Sequence, residues 1–213
     1  MSSLFINTGY KLLSIPICYD AFQTAVGSVK FRKEFVSSNL SKYPMRNVLD
    51  LGCGTASTIS QVSLNQRYVG VDNSESYLKK AATRATSREA IFLNSDIGES
   101  KWTEGLFLEG ETLTLALGVY HHLDENCFQS GLSNVSKVIS PGSVIVSLDP
   151  VIDRHSSKLA TWFAEKDRGR YLRAPSHYQK VFEANGFEFG YEIKRNEFRI
   201  PYDLILIVAT KQG

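Results

Sequence analysis

The feature that most constrains this chain is a short apolar run that ends in a glycine-rich turn. Val48-Leu49-Asp50-Leu51 reads as a buried strand, and Gly52-Cys53-Gly54 follows it directly. A second predicted strand ends beside Asp72, 18 residues after Gly54. In open parallel sheets ligands bind at the carboxyl ends of the strands, and an acid at this distance typically binds ribose hydroxyls. The turn therefore predicts a nucleotide-type site at one edge of a parallel sheet.

Strands and helices alternate along most of the sequence. The predicted strands cover 47–51, 67–71, 90–93, 112–117, 143–148, 187–194 and 204–210. The predicted helices cover 19–40, 55–64, 74–85, 125–139 and 176–185. This alternation predicts an α/β fold with a mostly parallel sheet covered on both faces. The last two strands have a short connection, which favours an antiparallel pair.

The chain length of 213 residues suits one domain, 1–213. Within it we expect a helical cover at about 1–44 and a cap insertion at about 150–174, where the alternation stops. The formal net charge is +2, and there is no long basic run, which disfavours a nucleic-acid partner. No apolar run is long enough to span a membrane. Three distant cysteines favour a reducing, cytoplasmic setting. We expect a monomer or a homodimer.

A dinucleotide-binding oxidoreductase is the main rival interpretation of the turn. The frame Gly52-Cys53-Gly54-Thr55-Ala56-Ser57 lacks the third glycine of the dinucleotide motif. The carboxylate of Asp50 would also repel a pyrophosphate at the mouth of the turn. A cofactor with a sulfonium and an amino group tolerates that acid.

Several segments resemble class I S-adenosylmethionine (SAM) dependent methyltransferases, in the order that this family has them. Residues 48–55 resemble the first motif, and 69–72 resemble the acidic motif after it. Asn94-Ser95-Asp96-Ile97 is similar to the adenine loop, 115–123 to the end of the fourth strand, and 138–143 to the turn before the fifth. The resemblance implies a Rossmann-like, mostly parallel seven-stranded sheet with an antiparallel last strand. Ala56 and Ser143 depart from the family, which has glycine at both positions.

The resemblance also implies a set of residues that bind SAM. They are Asp50, Gly52, Cys53, Gly54, Asp72, Asn73, Tyr77, Asp96, Ile97, Leu117, Gly118 and, in the N-terminal cover, Tyr19. S-adenosylhomocysteine would be the product of the donor. More narrowly, the chain resembles a bacterial subgroup whose genes often accompany surface-polysaccharide or specialised-metabolite genes.

Two histidines follow the fourth predicted strand, where the methyl group of SAM should lie. Histidine titrates near neutral pH, so His122 or His121 is a candidate general base, with His122 preferred. Asp124 is equally suited to cap the next helix. No cluster of carboxylates has the spacing of metal ligands, so no metal is expected.

The acceptor is expected to be a small molecule methylated on oxygen or nitrogen, such as a sugar or specialised metabolite. Candidate substrate ligands are Tyr120, Arg168, Arg173 and Tyr202. Arginine forks suit carboxylates and phosphates, although an arginine of the cap could equally be structural. Two alternatives stay open: a SAM-binding partner subunit without catalysis, and a protein or RNA methyltransferase.

Overall fold

One sheet with helices on both faces organises the described chain. The structure is a computed structural model that describes residues 28–86, 88–166 and 170–213. Its strands are β1 (Asn47–Leu51), β2 (Arg67–Asp72), β3 (Ala90–Asn94), β4 (Thr112–Leu117), β5 (Val144–Pro150), β6 (Phe187–Lys194) and β7 (Leu204–Lys211). Its helices are α1 (Ser28–Lys42), α2 (Glu75–Arg84), α3 (Glu125–Val138), α4 (Lys158–Lys166) and α5 (Pro175–Ala184).

The strand order is β3-β2-β1-β4-β5-β7-β6. Strands β1 to β5 pair in parallel, whereas β7 runs antiparallel to both of its neighbours. The order reverses at β1, between β2 and β4, and this is the point where a doubly wound sheet opens a ligand crevice. The seven-stranded, mostly parallel sheet with an antiparallel end is confirmed.

Side chains of alternate residues in the central strands pack into two hydrophobic layers, one on each face of the sheet. Leu49 and Leu51 of β1 join the layer that α3 and α5 cover, together with Phe128 and Phe182. Val48 points into the other layer, which α1 and α2 cover. A strand buried on both faces needs apolar residues at nearly every position, and every residue of β1 is buried. The polar exceptions are Asn47, whose side-chain amide donates to the Glu109 carbonyl, and Asp50, which lies next to the glycine turn.

The helix predicted over 55–64 is wrong. The chain after the glycine turn forms irregular turns and a single 3₁₀ turn at Ile59–Gln61. Ala56 has a φ of 48°, in the left-handed region, which no α-helix accommodates. A third residue with positive φ thus extends the glycine turn and delays regular structure.

The predicted helix ends are mostly confirmed. The Ser74 side chain accepts a hydrogen bond from the Tyr77 amide and caps α2. Asp124 caps α3 by accepting from the Cys127 amide. Gly186, with a φ of 81°, stops the chain after α5. Of the helix predicted over 19–40, the part up to residue 27 lies outside the described residues.

Two connections, one from β5 to α4 and one from β6 to β7, meet at the edge of the sheet where β5 ends. In the first connection, the Asp153 carboxylate lies 2.6 Å from Nη2 of Arg195, which belongs to the second. Arg195 also pairs through Nη1 with Asp203, at 2.8 Å, just before β7. Because β7 is antiparallel, its first residue lies beside Pro150, the last residue of β5. The β5–α4 and β6–β7 connections are therefore joined at the same edge of the sheet.

Candidate active site

The glycine turn is fixed by the carboxylate that ends β2. Gly52 and Gly54 have φ values of 59° and 52°, which explains the glycines. The Gly54 amide donates to Oδ2 of Asp72 at 2.8 Å, and the Ser74 amide donates to Oδ1 at 2.8 Å. Asn73 is exposed beside this carboxylate. The acid predicted to bind ribose thus also orders the glycine turn.

Asp50 is a buried acid beneath the turn. Its Oδ2 accepts a hydrogen bond of 2.6 Å from the Tyr68 hydroxyl. Burial raises the pKa of Asp50 to about 6, although the Tyr68 hydrogen bond and the charge of Arg32 both lower it. Such a carboxyl is ready to become fully ionised when a cation binds next to it.

Arg32 of α1 brings a positive charge to the same place. Its Nη2 lies 3.3 Å from the position that a Cβ on Gly118 would occupy. The side chain is half-buried, and within 28–86, 88–166 and 170–213 its guanidinium has no hydrogen bond or ion pair. Sequence analysis missed this residue, since nothing in a helical pattern distinguishes an arginine that reaches a distant strand end from one on the surface.

Cys53 and Tyr77 line the turn from below and from α2. Cys53 is buried, and a Cβ on Gly70 would lie 2.8 Å from its Sγ, so β2 requires a glycine there. Tyr77 stands half-buried in the first turn of α2, three residues after Ser74. Both residues lie near the glycine turn, and their contact with SAM stays a prediction.

Asp96 and Ile97 form the loop after β3. Oδ1 of Asp96 accepts from the Gly98 amide at 2.9 Å and from the Cys127 thiol at 2.8 Å. Within the part of the chain that the structure describes, Oδ2 makes no hydrogen bond. Ile97 is buried under α3 and contacts Gly131, where a Cβ would come within 2.7 Å of it. The loop is thus anchored by Ile97 and keeps one carboxylate oxygen for a ligand.

The end of β4 faces the glycine turn. Leu117 is half-buried, and the Gly118 amide donates to the Leu148 carbonyl of β5 at 2.7 Å. A Cβ on Gly52 would lie only 2.8 Å from Cγ2 of Val119. The glycine turn and the end of β4 are therefore in direct contact.

The two candidate bases occupy a 3₁₀ turn, Tyr120–His122, directly after this strand end. His121 is buried, and its Nδ1 lies 2.8 Å from Oδ1 of Asp149 in β5. His122 is exposed, and the two imidazole rings are tilted by 38° with their centroids 4.0 Å apart. Asp149 was not predicted as a site residue. Its position at the end of β5, at the same edge as the other acids, was the available signal.

Arg173 lies buried beneath the histidine turn and contacts the chain itself. Its Nη1 donates to the Tyr120 carbonyl and its Nη2 to the Leu123 carbonyl, both at 2.7 Å. Its Nε lies 3.4 Å from Glu125, and its guanidinium stacks over Phe128. All three guanidinium nitrogens of Arg173 thus bind the segment around the histidine turn, which supports a structural role for this arginine.

The remaining predicted substrate ligands differ in how accessible they are. Tyr120 is 1% exposed and packs among Phe128, Tyr178 and Phe182. Its hydroxyl can therefore contact a methyl-accepting substrate only after this aromatic cluster rearranges. Tyr202 is buried beside Phe198, in the connection before β7. Arg168 lies outside the described residues, as does Tyr19, which was predicted to bind SAM.

Comparisons with known proteins agree with this geometry. Residues 48–142 match the family model described as a methyltransferase domain. Comparison with curated proteins gives no significant match.

Among solved structures, an O-methyltransferase family protein from Burkholderia thailandensis aligns with a TM-score of 0.70 and 14% identity, over 95% of this chain and 62% of that one. The chain thus spans less than two thirds of that protein. A magnesium protoporphyrin IX methyltransferase from Synechocystis PCC 6803 with bound S-adenosylhomocysteine aligns with a TM-score of 0.66 and 16% identity, over 90% and 87%. A SAM-dependent methyltransferase from Archaeoglobus fulgidus aligns with 0.65 and 19%, over 91% and 99%.

A methyltransferase domain thus matches residues 48–142, and the fold resembles that of the solved SAM-dependent methyltransferases. The residues fit the cofactor. Asp50 and Arg32 offer opposite charges next to the turn, which suits the amino and carboxylate groups of a methionine. SAM is the cofactor of this domain.

Proposed function

We propose that this chain transfers the methyl group of SAM to a small-molecule acceptor, on oxygen or nitrogen. One observation carries the proposal: the adjacent imidazoles of His121 and His122 come just after β4, at the strand end that contacts the glycine turn. When bound, SAM supplies an electrophilic methyl group on a sulfonium. A neutral hydroxyl or amine that attacks it must lose a proton, and an imidazole at this position is suited to accept it.

We assign the cofactor contacts by charge and position. Asp72 would hold the ribose hydroxyls, because both of its oxygens keep lone pairs beyond the two backbone bonds they accept. Oδ2 of Asp96 would accept from the adenine amino group. Asp50 would neutralise the amino group of the methionine, and Arg32 would bind its carboxylate through the guanidinium fork.

The acceptor side supports a small molecule. The Tyr171 amide donates to the His121 carbonyl at 3.1 Å, so the segment after α4 lies against the histidine turn. Leu159 and Trp162 of α4 are 54% and 51% exposed, and they offer apolar surface next to this edge. A net charge of +2 gives little attraction for nucleic acid. An apolar cap of this kind favours a compact acceptor over a long polymer.

The setting and the assembly are also proposals. Cys53 and Cys127 are free cysteines, which supports a cytoplasmic protein, monomeric or homodimeric. In the described ranges, no helix has the length and apolar character to cross a bilayer.

Calorimetry with SAM, followed by an acceptor screen with labelled SAM, tests the proposal. We expect SAM to bind and Asp72→Asn to weaken the binding, with His155→Ala as the matched control on an exposed loop. We expect label to move to at least one sugar, phenol or specialised-metabolite acceptor. Tight SAM binding without transfer to any acceptor would favour the non-catalytic partner subunit. Transfer only to RNA or protein would refute the small-molecule assignment.

A further inference from the structure

The loop after β3 is held along one face of α3. Gly131 and Asn134 lie on the same face of this helix, one turn apart. A Cβ on Gly131 would come within 2.7 Å of the Ile97 side chain. Nδ2 of Asn134 donates to three successive carbonyls of the loop, those of residues 97–99, at 3.2, 3.3 and 3.0 Å. The backbone of the loop is therefore fixed relative to α3.

Cys127 lies on that face too, one turn before Gly131, and it contacts the carboxylate of the loop. Its Sγ donates to Oδ1 of Asp96 at 2.8 Å. Its own backbone amide donates to the Asp124 cap, also at 2.8 Å. A Cβ on Gly98 would lie 2.8 Å from Sγ, so the thiol packs directly against the loop. The helix cap and the loop together fix the place of the thiol.

We propose that Cys127 is a positioning residue for the cofactor, whose thiol orients the Asp96 carboxylate so that the site prefers a 6-aminopurine to a 6-oxopurine. The proposal rests on the contact between Asp96 and adenine that is part of the proposed function, and it adds the residue that directs this contact. In this role Cys127 acts through Asp96.

The two carboxylate oxygens of Asp96 have different surroundings. Oδ1 accepts two hydrogen bonds, from the Gly98 amide at 2.9 Å and from the Cys127 thiol. Within the described ranges, Oδ2 accepts none. The last torsion of an aspartate side chain is soft, so a second donor to the same oxygen restricts a rotation that one donor permits. The lone pairs of Oδ2 therefore keep one direction.

The thiol of Cys127 remains a hydrogen-bond donor at neutral pH. Burial and the neighbouring Asp96 carboxylate raise the pKa of Cys127 to about 12. A thiolate could not donate, and a carboxylate only accepts, so the raised pKa preserves the bond from Sγ to Oδ1. The contact is thus a donor–acceptor pair whose direction is fixed.

Adenine and hypoxanthine present different groups to such an oxygen. The 6-amino group of adenine is a donor, whereas the 6-oxo group of hypoxanthine is an acceptor and its neighbouring N1 carries the proton. A carboxylate in a fixed orientation accepts from the amino group and is repelled by the oxo group. A carboxylate that can rotate is able to turn towards N1–H and so accept the other base. Cys127 therefore contributes to specificity more than to affinity.

Calorimetry with S-adenosylhomocysteine and with S-inosylhomocysteine, its 6-oxo analogue, tests the proposal on the whole chain without any acceptor. We expect the wild type to prefer the 6-amino ligand by at least about tenfold, because a hydrogen bond to a charged group is exchanged for a repulsion. Cys127→Ala should reduce this preference by at least about threefold. Cys127→Ser keeps a donor and should stay within about twofold of the wild type.

Ser136→Ala is the matched control, since it removes a side-chain hydrogen bond of α3 to the Asn185 carbonyl, away from the loop. It should leave the preference unchanged. An equal loss of affinity for both ligands in Cys127→Ala would indicate a purely structural role and overturn the proposal, as would an unchanged preference. A wild type without any preference would overturn the contact between Asp96 and adenine and this proposal together. A wild type that prefers the 6-amino ligand but methylates no acceptor would contradict only the proposed methyl transfer.

Infrared spectroscopy of the thiol gives a second measurement, which does not depend on the folding of Cys127→Ala. The S–H stretching band of Cys127, assigned by its loss in Cys127→Ser, should lie at a lower frequency than that of a thiol without a hydrogen bond, because donation to a carboxylate weakens the S–H bond. The band should move to higher frequency in Asp96→Ala. A band that this substitution leaves in place would show that the thiol does not hold Asp96, and the proposal would fall.

Discussion

Changing the pH between 5 and 8 perturbs one group of the cofactor site above all, the carboxyl of Asp50. Its pKa is raised to about 6, mainly by burial. The proposed partner of Asp50 is the amino group of SAM, which is protonated over the range around pH 6 in which Asp50 titrates. The ionised carboxylate is the form that binds a cation, so protonation of Asp50 competes with SAM.

The magnitude follows from the pKa. Above about pH 6 the carboxyl is ionised and the affinity for SAM should be constant. Below it, each pH unit should weaken binding about tenfold, or about 1.4 kcal/mol, because ionisation must precede binding. At pH 5 the dissociation constant should therefore be about ten times its value at pH 8.

Calorimetric titrations of SAM at half-unit pH steps measure this dependence, and two variants isolate its source. Asp50→Asn should bind SAM about 10- to 100-fold more weakly, with no step near pH 6, since a hydrogen bond to a charged group is lost. Tyr68→Phe removes the hydroxyl that donates to Asp50 at 2.6 Å, and that bond lowers the pKa. Its midpoint should move above 6. A flat wild-type profile between pH 5 and 8, or an unmoved midpoint in Tyr68→Phe, would refute the reasoning.

Folding stability should respond to the same carboxyl with the opposite sign. The folded state holds the Asp50 proton more tightly than the unfolded state, in which the pKa is near its ordinary 3.8. Stability without SAM therefore falls as the pH rises from about 4 to about 6, by about 3 kcal/mol from this group alone. Urea unfolding of the wild type and Asp50→Asn measures the difference. Tighter SAM binding and lower intrinsic stability on raising the pH would distinguish Asp50 from a general loss of structure in acid.

Substitutions in three further parts of the site, the glycine turn, Arg173 and Tyr120, test other contacts. Gly52→Ala should lose both stability and SAM binding, because its φ is 59° and the new methyl would lie 2.8 Å from Val119. A Cβ on Gly54 would meet nothing within 4 Å, so Gly54→Ala should lose only about 1 kcal/mol of stability, from its positive φ. Arg173→Ala should lower the free energy of unfolding by about 3 kcal/mol, since it strands buried carbonyls. Tyr120→Phe should keep or gain up to about 1 kcal/mol, because the buried hydroxyl has no hydrogen-bond partner in the described chain.

Urea unfolding and SAM calorimetry on the same samples check all three. Equal stability in Gly52→Ala and Gly54→Ala would contradict the close contact with Val119. Wild-type stability in Arg173→Ala would contradict its role as a clamp, and weaker acceptor binding with unchanged stability would restore it as a substrate ligand. A Tyr120→Phe variant that loses acceptor affinity would show that the aromatic cluster opens during turnover.

The convergence of three acids on one edge of the sheet was predictable because its signals are local. Asp50, Asp72 and Asp96 each lie within two residues of the end of a strand, and parallel strands bring such ends to one edge. The spacing of glycines and acids within one strand–turn–strand unit therefore predicts their neighbourhood, and their contacts with SAM stay a prediction.

The parts that sequence reasoning missed depend on contacts between distant segments. Arg32 reaches Gly118 from a helix that precedes the sheet, and Arg173 binds carbonyls some 50 residues earlier in the chain. No periodicity encodes such contacts. The predicted helix over 55–64 failed for another reason: its polar composition suited a helix or a turn, and the left-handed backbone of Ala56 decided for the turn.

The ion pairs of Arg195 have a consequence for how the proposed acceptor side can vary. Arg195 joins the connection after β5 to the connection before β7 through Asp153 and Asp203. Both connections lie on the β5 side of the edge, away from the turn between β1 and β2. Insertions there can reshape the proposed acceptor side while the glycine turn keeps its geometry. A library of loop variants that preserves these three residues should thus change which molecule is methylated without repeating the search for SAM binding.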